Sequence, residues 1–283
     1  MLRFLLKALQ TFLVITGAIL LSTLAINAAD SLKNPSSSLL AGALSSITKT
    51  SNCPTGMVYV GAPKGGYCID AYEASAGEAC VYRDPGNQSE TRANLDLAAC
   101  LPVSGKGVIP WRNISQDQAA AACAKAGKRL PTNEEWFFAA LGTPDPSENW
   151  GSSGCNVSKN WGASDAGKTG TGANCVSPLG AYDMIGNVWE WVGETAKEGK
   201  YDNAPLPDAG YVKGSDEKGI PSETGTDPDE NYHRDRFWIV KDGTRGMFRG
   251  GFFGSGSDAG VYTLHAEMSP SFVGTAVGFR CVK

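Results

Sequence analysis

Eight cysteines, Cys53, Cys68, Cys80, Cys100, Cys123, Cys155, Cys175 and Cys281, constrain this chain more than any other feature. All lie beyond an N-terminal stretch in which Arg3 and Lys7 precede an uncharged run from Ala8 to Ala29. That run is long enough to span a bilayer, and its small-residue end before Asp30 also suits signal-peptidase cleavage. Residues 1–29 are therefore read as a signal peptide or a membrane anchor, and the remainder as exported. An even number of cysteines in an exported chain implies disulfides, because the compartment is oxidising. No CxxC spacing occurs, so the pattern does not point to zinc. Roughly a hundred pairings of eight cysteines remain open at this level.

Length and composition allow a substantial core in one large or two small domains, with 283 residues of which 42% are hydrophobic. The 35 glycines point to many turns and irregular loops. A net charge of -4 offers no basic field for a phosphate backbone and excludes nucleic acid as a partner.

Residues 30–52, rich in Ser, Leu, Ala and Thr, read as a stalk, and the globular part starts near Cys53. Met57 to Val60 and Tyr67 to Glu73 read as a hairpin around Gly65-Gly66. Ser115 with Gln118, and Thr132 with Glu135, form two capping boxes that start two helices, the first stopped at Gly127 and the second at Gly142. Asn149 to Ser177 has little core of its own, and a Cys155 to Cys175 bridge would close it. Gly186-Asn187 turns into a strand with Trp189 and Trp191 on one face. Residues 194–236 are polar and rich in Pro and Gly, an inserted loop. Phe237 to Val240 resumes a strand.

Several local patterns fail for lack of context. Gly162 to Thr169 matches a phosphate-binding loop in letters, but neither a buried strand nor a helix flanks it. Asp227-Pro-Asp229 begins like a calcium loop, yet Tyr232 stands at the glycine position and Trp238 at the bidentate glutamate. Calcium stays open there only as a structural ion on oxygen ligands, and no metal-ligand set is assigned. His233 and His265 lack a nucleophile in a catalytic context. Glu190, between two tryptophans, reads as a structural acid bonded to backbone. Asn87-Gln-Ser89, Asn113-Ile-Ser115 and Asn156-Val-Ser158 fit the glycosylation acceptor pattern, which has meaning only in a host that glycosylates.

The C-terminal stretch opens with Arg249-Gly250-Gly251 and closes with Gly278-Phe279-Arg280-Cys281. Between these phrases the sequence shows neither a two-residue alternation nor a helical stripe, as a core segment should. A segment framed by small residues and aperiodic within reads as a display surface.

Cys53-Pro-Thr-Gly-Met-Val-Tyr-Val, Cys68-Ile-Asp-Ala-Tyr-Glu73, Gly127-Lys-Arg-Leu-Pro-Thr-Asn-Glu-Glu-Trp136, Gly186-Asn-Val-Trp-Glu-Trp191, Arg249-Gly-Gly251 and Gly278-Phe-Arg-Cys281 together resemble the formylglycine-generating enzyme (sulfatase-modifying factor) domain. The resemblance spans about residues 53–283. It implies an α+β, C-type-lectin-like fold with two helices, twisted antiparallel sheets and much irregular loop, and a disulfide between Cys123 and Cys281. Active members of that family carry two copper-binding cysteines at places that fall here at about Ser255 and Gly260. Neither residue supplies the soft thiolate that monovalent copper requires.

The tail is similar in more detail to the variable proteins of diversity-generating retroelements, through Gly250-Gly251-Phe252-Phe253, Gly256 to Tyr262, Pro270-Ser271 and Gly278 to Cys281. That likeness implies a variable binding region over 249–281, with Phe252, Gly254, Ser255, Asp258, His265, Glu267, Met268, Phe272, Gly274 and Ala276 as scattered positions. Phe252, Tyr262, Met268 and Phe272 would be the anchors, while His265, Asp258 and Glu267 would select partners by charge. The expectation is a surface-displayed, non-catalytic receptor or adhesin for a protein or cell-surface ligand, with membrane attachment if the N-terminal segment is uncleaved. The alternative is a formylglycine-generating-type oxidase or another metal-dependent enzyme. Carbohydrate binding through calcium lacks the usual Glu-Pro-Asn type of loop.

Overall fold

The computed structural model describes residues 53–62, 65–146, 148–162 and 165–283. The expected export segment and stalk, residues 1–52, lie outside them.

The hairpin read from sequence is β1 (Met57–Val60) against β2 (Tyr67–Asp70), antiparallel, with Val58 opposite Ile69. Cys53–Cys68 clasps its start. β3 (Ala74–Ala76) pairs with β4 (Pro102–Ser104), and between them lies a helix that the sequence reading missed, α1 (Gln88–Asp96). Its N-cap is Asn87, whose Oδ1 accepts from the Glu90 amide while Nδ2 donates to Glu90 Oε1. The Asn-x-x-Glu cap signal was present, inside the stretch that also fits a glycosylation acceptor. Cys80–Cys100 ties the two ends of this excursion.

Both expected helices form, bringing the helix number to three among the described residues. α2 (Gln116–Lys125) and α3 (Asn133–Ala140) each begin with a complete capping box, at Ser115/Gln118 and Thr132/Glu135. Past α2, Gly127 at φ 67 lets the Lys128 amide reach back to the Cys123 carbonyl, the geometry that ends a helix on a left-handed residue. Leu130 and Pro131 then lead directly into α3.

The principal sheet has nine strands. They are β5 (Trp189–Lys197), β6 (Lys200–Tyr201), β7 (Ala204–Pro205), β8 (Gly210–Ser215), β9 (Pro221–Gly225), β10 (Arg236–Ile239), β11 (Thr244–Arg249), β12 (Leu264–Ala266) and β13 (Val277–Phe279). The order is β7-β6-β5-β11-β12-β10-β8-β9, with β13 on β5. The sheet is mixed, not antiparallel throughout as expected: β12 runs parallel to β10 and β13 parallel to β5. Long excursions bring each of these strands back in the same direction, which a hairpin cannot do. Residues 194–236, expected as a loop, instead complete β5 and build β6 to β9, with a 3-10 turn at Glu230–Tyr232. These are short outer strands with polar residues on both faces, so no alternation marks them.

The sheet divides the interior. On one side Val192, Met247, Phe237, Ile239, Leu264 and Ala266 pack with Trp136 and Phe137 of α3. On the other, Trp189, Trp191, Phe248, Val277 and Phe279 pack with Trp111, Ile114, Ala119, Ala122 and Cys123. Strand alternation makes the division, since Trp189 and Trp191 point one way while the intervening Glu190 points the other. Cys123–Cys281 joins α2 to the chain end across 158 residues, and Cys155–Cys175 closes the loop between α3 and β5.

Glu190 is buried beneath this sheet, but its partners are side chains rather than backbone. Its carboxylate accepts from Arg280 and from Trp136 Nε1 at 2.7 Å. Of the three glycosylation acceptors, Asn113 and Asn156 are buried and Asn87 is exposed. Thr169 in the phosphate-loop match is spent on structure, its Oγ1 donating to the Gly105 carbonyl.

A candidate ligand-binding face

One row of side chains crosses five strands on the α2 side of the sheet. Strand pairing sets Tyr211 opposite Arg236, Trp238 opposite His265, His265 opposite Phe248 and Phe248 opposite Trp191. The Arg236 guanidinium lies over the Tyr211 ring at 5.2 Å and the Trp238 ring at 5.6 Å. His265 then stacks on Phe248 at 4.4 Å, and Phe248 meets Trp191 edge-on at 4.7 Å. The row runs from half-exposed Tyr211, Arg236 and Trp238 to fully buried Trp191. Phe252, stacked on Trp189 at 6.4 Å, and Met268 and Phe272 are partly buried against the same apolar cluster.

The tail that supplies these covering residues is held by its main chain. The Asn187 carbonyl accepts from the Phe253 amide, and the Phe253 carbonyl from the Lys159 amide. Gly246 donates to the Met268 carbonyl, Gln116 to Pro270, Asn113 to Gly274 and Trp189 to Ala276. Asp235 Oδ2 accepts from the Tyr262 amide at 2.6 Å and Asp145 from Val261. None of these bonds depends on which side chain stands at the tail position. Polar side chains there bond within the tail or to the rim: Ser255 Oγ accepts from the Phe252 amide, Asp258 faces Arg236 at 3.7 Å, and His265, stacked on Phe248, faces Glu267 at 3.2 Å.

Steric limits divide the tail in the same way. A β-carbon at Gly250, φ +88, would sit 2.6 Å from the Met184 carbonyl oxygen, and one at Gly260 would collide with the Asp235 carboxylate. At Gly254 and Gly274 the nearest obstacles are the rings of Phe252 and Phe272, which are themselves tail side chains at scattered positions. Framing glycines are fixed by the frame, and interior ones only by their neighbours.

Phe252, Ser255, Asp258, His265, Glu267, Met268, Phe272, Gly274 and Ala276 are half-buried and Gly254 is exposed. Tyr262 departs from the expectation of an exposed anchor. It is buried, packed on Phe137 at 5.4 Å and Tyr232 at 5.0 Å, and burial together with the nearby Asp235 carboxylate pushes its hydroxyl up to about 12. The tail is not aperiodic throughout. Across β12 Leu264 and Ala266 are fully buried while His265 and Glu267 on the other face are only partly so, an alternation too short to stand out in sequence. Burial among rings drives the His265 pKa down to about 4, so it is neutral at neutral pH. Burial raises the Asp258 carboxyl, against the opposing pull of Arg236 and Arg234.

Metal chemistry finds few ligands. All eight cysteines are disulfide-bonded, leaving no free thiol. Ser255 occupies one family copper position with a hard oxygen, and the other, Gly260, has no room for a side chain. The residues present do not fit monovalent copper. In the acidic loop, Asp229 caps the Glu230–Tyr232 turn and faces Lys213 at 3.6 Å. Among the described residues no three His, Cys, Asp or Glu side chains converge as a cation cage.

The sequence profile of the sulfatase-modifying factor enzyme 1-like domain matches residues 49–283. The chain belongs to that family. This sulfatase-modifying factor domain is 36% identical over 121 residues to the inactive C-alpha-formylglycine-generating enzyme 2 of Bos taurus, a match covering 38% of this chain and 40% of that one. It is 35% identical over 103 residues to the formylglycine-generating enzyme of Thermomonospora curvata, covering 30% and 33% respectively. The matched region thus spans less than half the length of either relative. Among solved structures, Treponema denticola variable protein 1 aligns over 77% of this chain and 84% of its own at 16% identity, with a TM-score of 0.42.

Arg236, Trp238, Tyr211 and Trp189 are the parts of the face that sequence reading passed over. A signal existed for the first two: in Arg236-Phe-Trp-Ile the outward pair Arg236 and Trp238 alternates with the buried Phe237 and Ile239. What the sequence could not tell is that β12, carrying the tail, would lie beside that strand.

Proposed function

We propose that this sulfatase-modifying factor domain is a non-catalytic, surface-displayed ligand-binding protein whose residues 249–281 form a receptor face that diversification rewrites. The observation that supports the reading above all is the attachment of the tail through its main chain. Surface substitutions away from special features usually alter stability by under about 0.5 kcal/mol. A frame held by four disulfides and two capped helices against the sheet can therefore carry many versions of one face. Four disulfides suit an oxidising compartment outside the cytosol. Binding energy would come from half-buried apolar side chains at Phe252, Trp238, Met268 and Phe272, since a few large side chains dominate most interfaces.

A library randomised at the ten scattered positions and displayed on phage or yeast tests this. Selection against unrelated purified proteins should yield binders that keep the frame and differ at those positions. If binders arise only through changes elsewhere, the reading fails. The rival, an oxidase of the formylglycine-generating type, requires stoichiometric copper binding with turnover of a cysteine-containing peptide.

A further inference from the structure

Beside the tail lies a cleft of about 690 Å³ between the β8–β9 hairpin and residues 207–209, with Arg236 and Tyr211 in its wall. Arg236 belongs to β10 and Tyr211 to β8, both outside the region 249–281. The guanidinium lies over the Tyr211 and Trp238 rings, so two side chains of the frame hold it in place before any ligand arrives. Its Nε is buried with no hydrogen-bond partner among the described residues. The terminal nitrogens face one carboxylate, Asp258, at 3.7 Å, beyond hydrogen-bond distance, with both side chains partly in water. Asp208, also in the cleft wall, is already paired with Lys241 at 2.7 Å.

Arginine, tyrosine and tryptophan are the residue types that most often carry binding energy, and a guanidinium fixed by ring stacking loses little freedom on pairing. We infer that Arg236 is a constant carboxylate-recognising element of the face, and that the residue at position 258 decides whether a partner can use it. With aspartate at 258 the guanidinium is partly neutralised and a ligand carboxylate is repelled. With a neutral side chain there, the planar fork opens to an acidic segment of a protein partner, which it can pair through two parallel bonds. This rests on position 258 being one that diversification changes. It adds that a single scattered position switches the face between acidic and non-acidic partners while the cation stays in place.

A fluorescein-labelled hexaglutamate peptide and a hexaglutamine control, titrated by anisotropy against the full-length protein and its D258A, R236Q, D258A/R236Q and D258A/R236K variants, test the inference. D258A should bind hexaglutamate about tenfold more tightly than the parent, with affinity falling as salt rises, and hexaglutamine should show no gain. R236Q should abolish the gain in the D258A background, and D258A/R236K should retain only part of it, because lysine keeps the charge without the stacked fork. No tightening in D258A, or a gain that survives R236Q, would overturn the assignment to Arg236. Either result would leave the diversified-face reading standing, because the library selection judges that reading separately. Near-ultraviolet circular dichroism identical to the parent's confirms that each variant is folded.

Discussion

Arg280 and Glu190 form a two-point ion pair in the centre of the molecule, with Nε–Oε2 at 2.6 Å and Nη2–Oε1 at 2.5 Å, and neither side chain reaches water. Nη1 donates to the Asp70 carbonyl and Nη2 also to the Tyr182 carbonyl, so one arginine links β2, the turn before β5 and β5 itself. It follows directly after β13, whose residues pair with the start of β5. The closing Gly-Phe-Arg-Cys phrase thus anchors the end of this region from behind.

Breaking that pair should cost far more than any tail substitution. Arg280→Met leaves the Glu190 carboxylate buried without its cation, and a loss of about 3–5 kcal/mol is expected. Urea denaturation with disulfides intact measures it. A loss under about 1 kcal/mol would mean that the pair is not what holds the chain end.

The Cys123–Cys281 bridge should be the most stabilising of the four, since it closes the longest loop, 158 residues against 15 to 20 for the others. Replacing both cysteines by alanine is expected to cost about 2–5 kcal/mol. Comparison of thermal midpoints with the equivalent Cys80/Cys100 variant checks the ranking, and a smaller loss for Cys123/Cys281 would contradict it.

His265 should impose a pH dependence of definite sign. Unfolded, its ring takes a proton near pH 6.5, whereas in the fold burial among rings delays this to about 4. Its contribution to stability is complete above about pH 6.5 and is lost as pH falls toward 4, by up to about 3 kcal/mol. Phenylalanine at this position keeps the stack on Phe248 without titrating. The stability difference between parent and His265→Phe should therefore shift in favour of the variant between pH 7 and 4. A difference that stays constant over that range would place the imidazole in solvent.

Glycines should divide into two classes. Gly250→Ala must force a left-handed alanine against the Met184 carbonyl, and is expected to lose about 3 kcal/mol or more. Gly254→Ala meets only the Phe252 ring, which can turn, and should lose under about 1 kcal/mol. Equal losses at the two positions would remove the distinction between frame and face.

What the sequence disclosed was what is local. Ser115 with Gln118 and Thr132 with Glu135 define their helices because both partners of each cap lie within one turn. The β1–β2 hairpin was legible for the same reason. The parallel pairing of β12 with β10 was not, because the pairing joins segments separated by the whole of β11 and the glycine-rich loop after it. β8 and β9 escaped notice because strands at the outer end of a sheet bury little and so carry no period. Tyr262 was misplaced because an aromatic residue in a framed, irregular segment looks the same whether it turns toward Phe137 or toward solvent. The expected scattered positions were read from the tail alone, while their neighbours Arg236, Trp238 and Trp189 became visible only once β10, β12 and β5 lay side by side.

Substituting all ten scattered positions at once, Phe252, Gly254, Ser255, Asp258, His265, Glu267, Met268, Phe272, Gly274 and Ala276, and recording thermal unfolding across many such variants tests the central claim most directly. A main-chain-held face predicts that most variants keep four disulfides and one cooperative transition within roughly 10 °C of the parent. Loss of cooperative unfolding in most of them would show that these side chains belong to the core and would contradict the account.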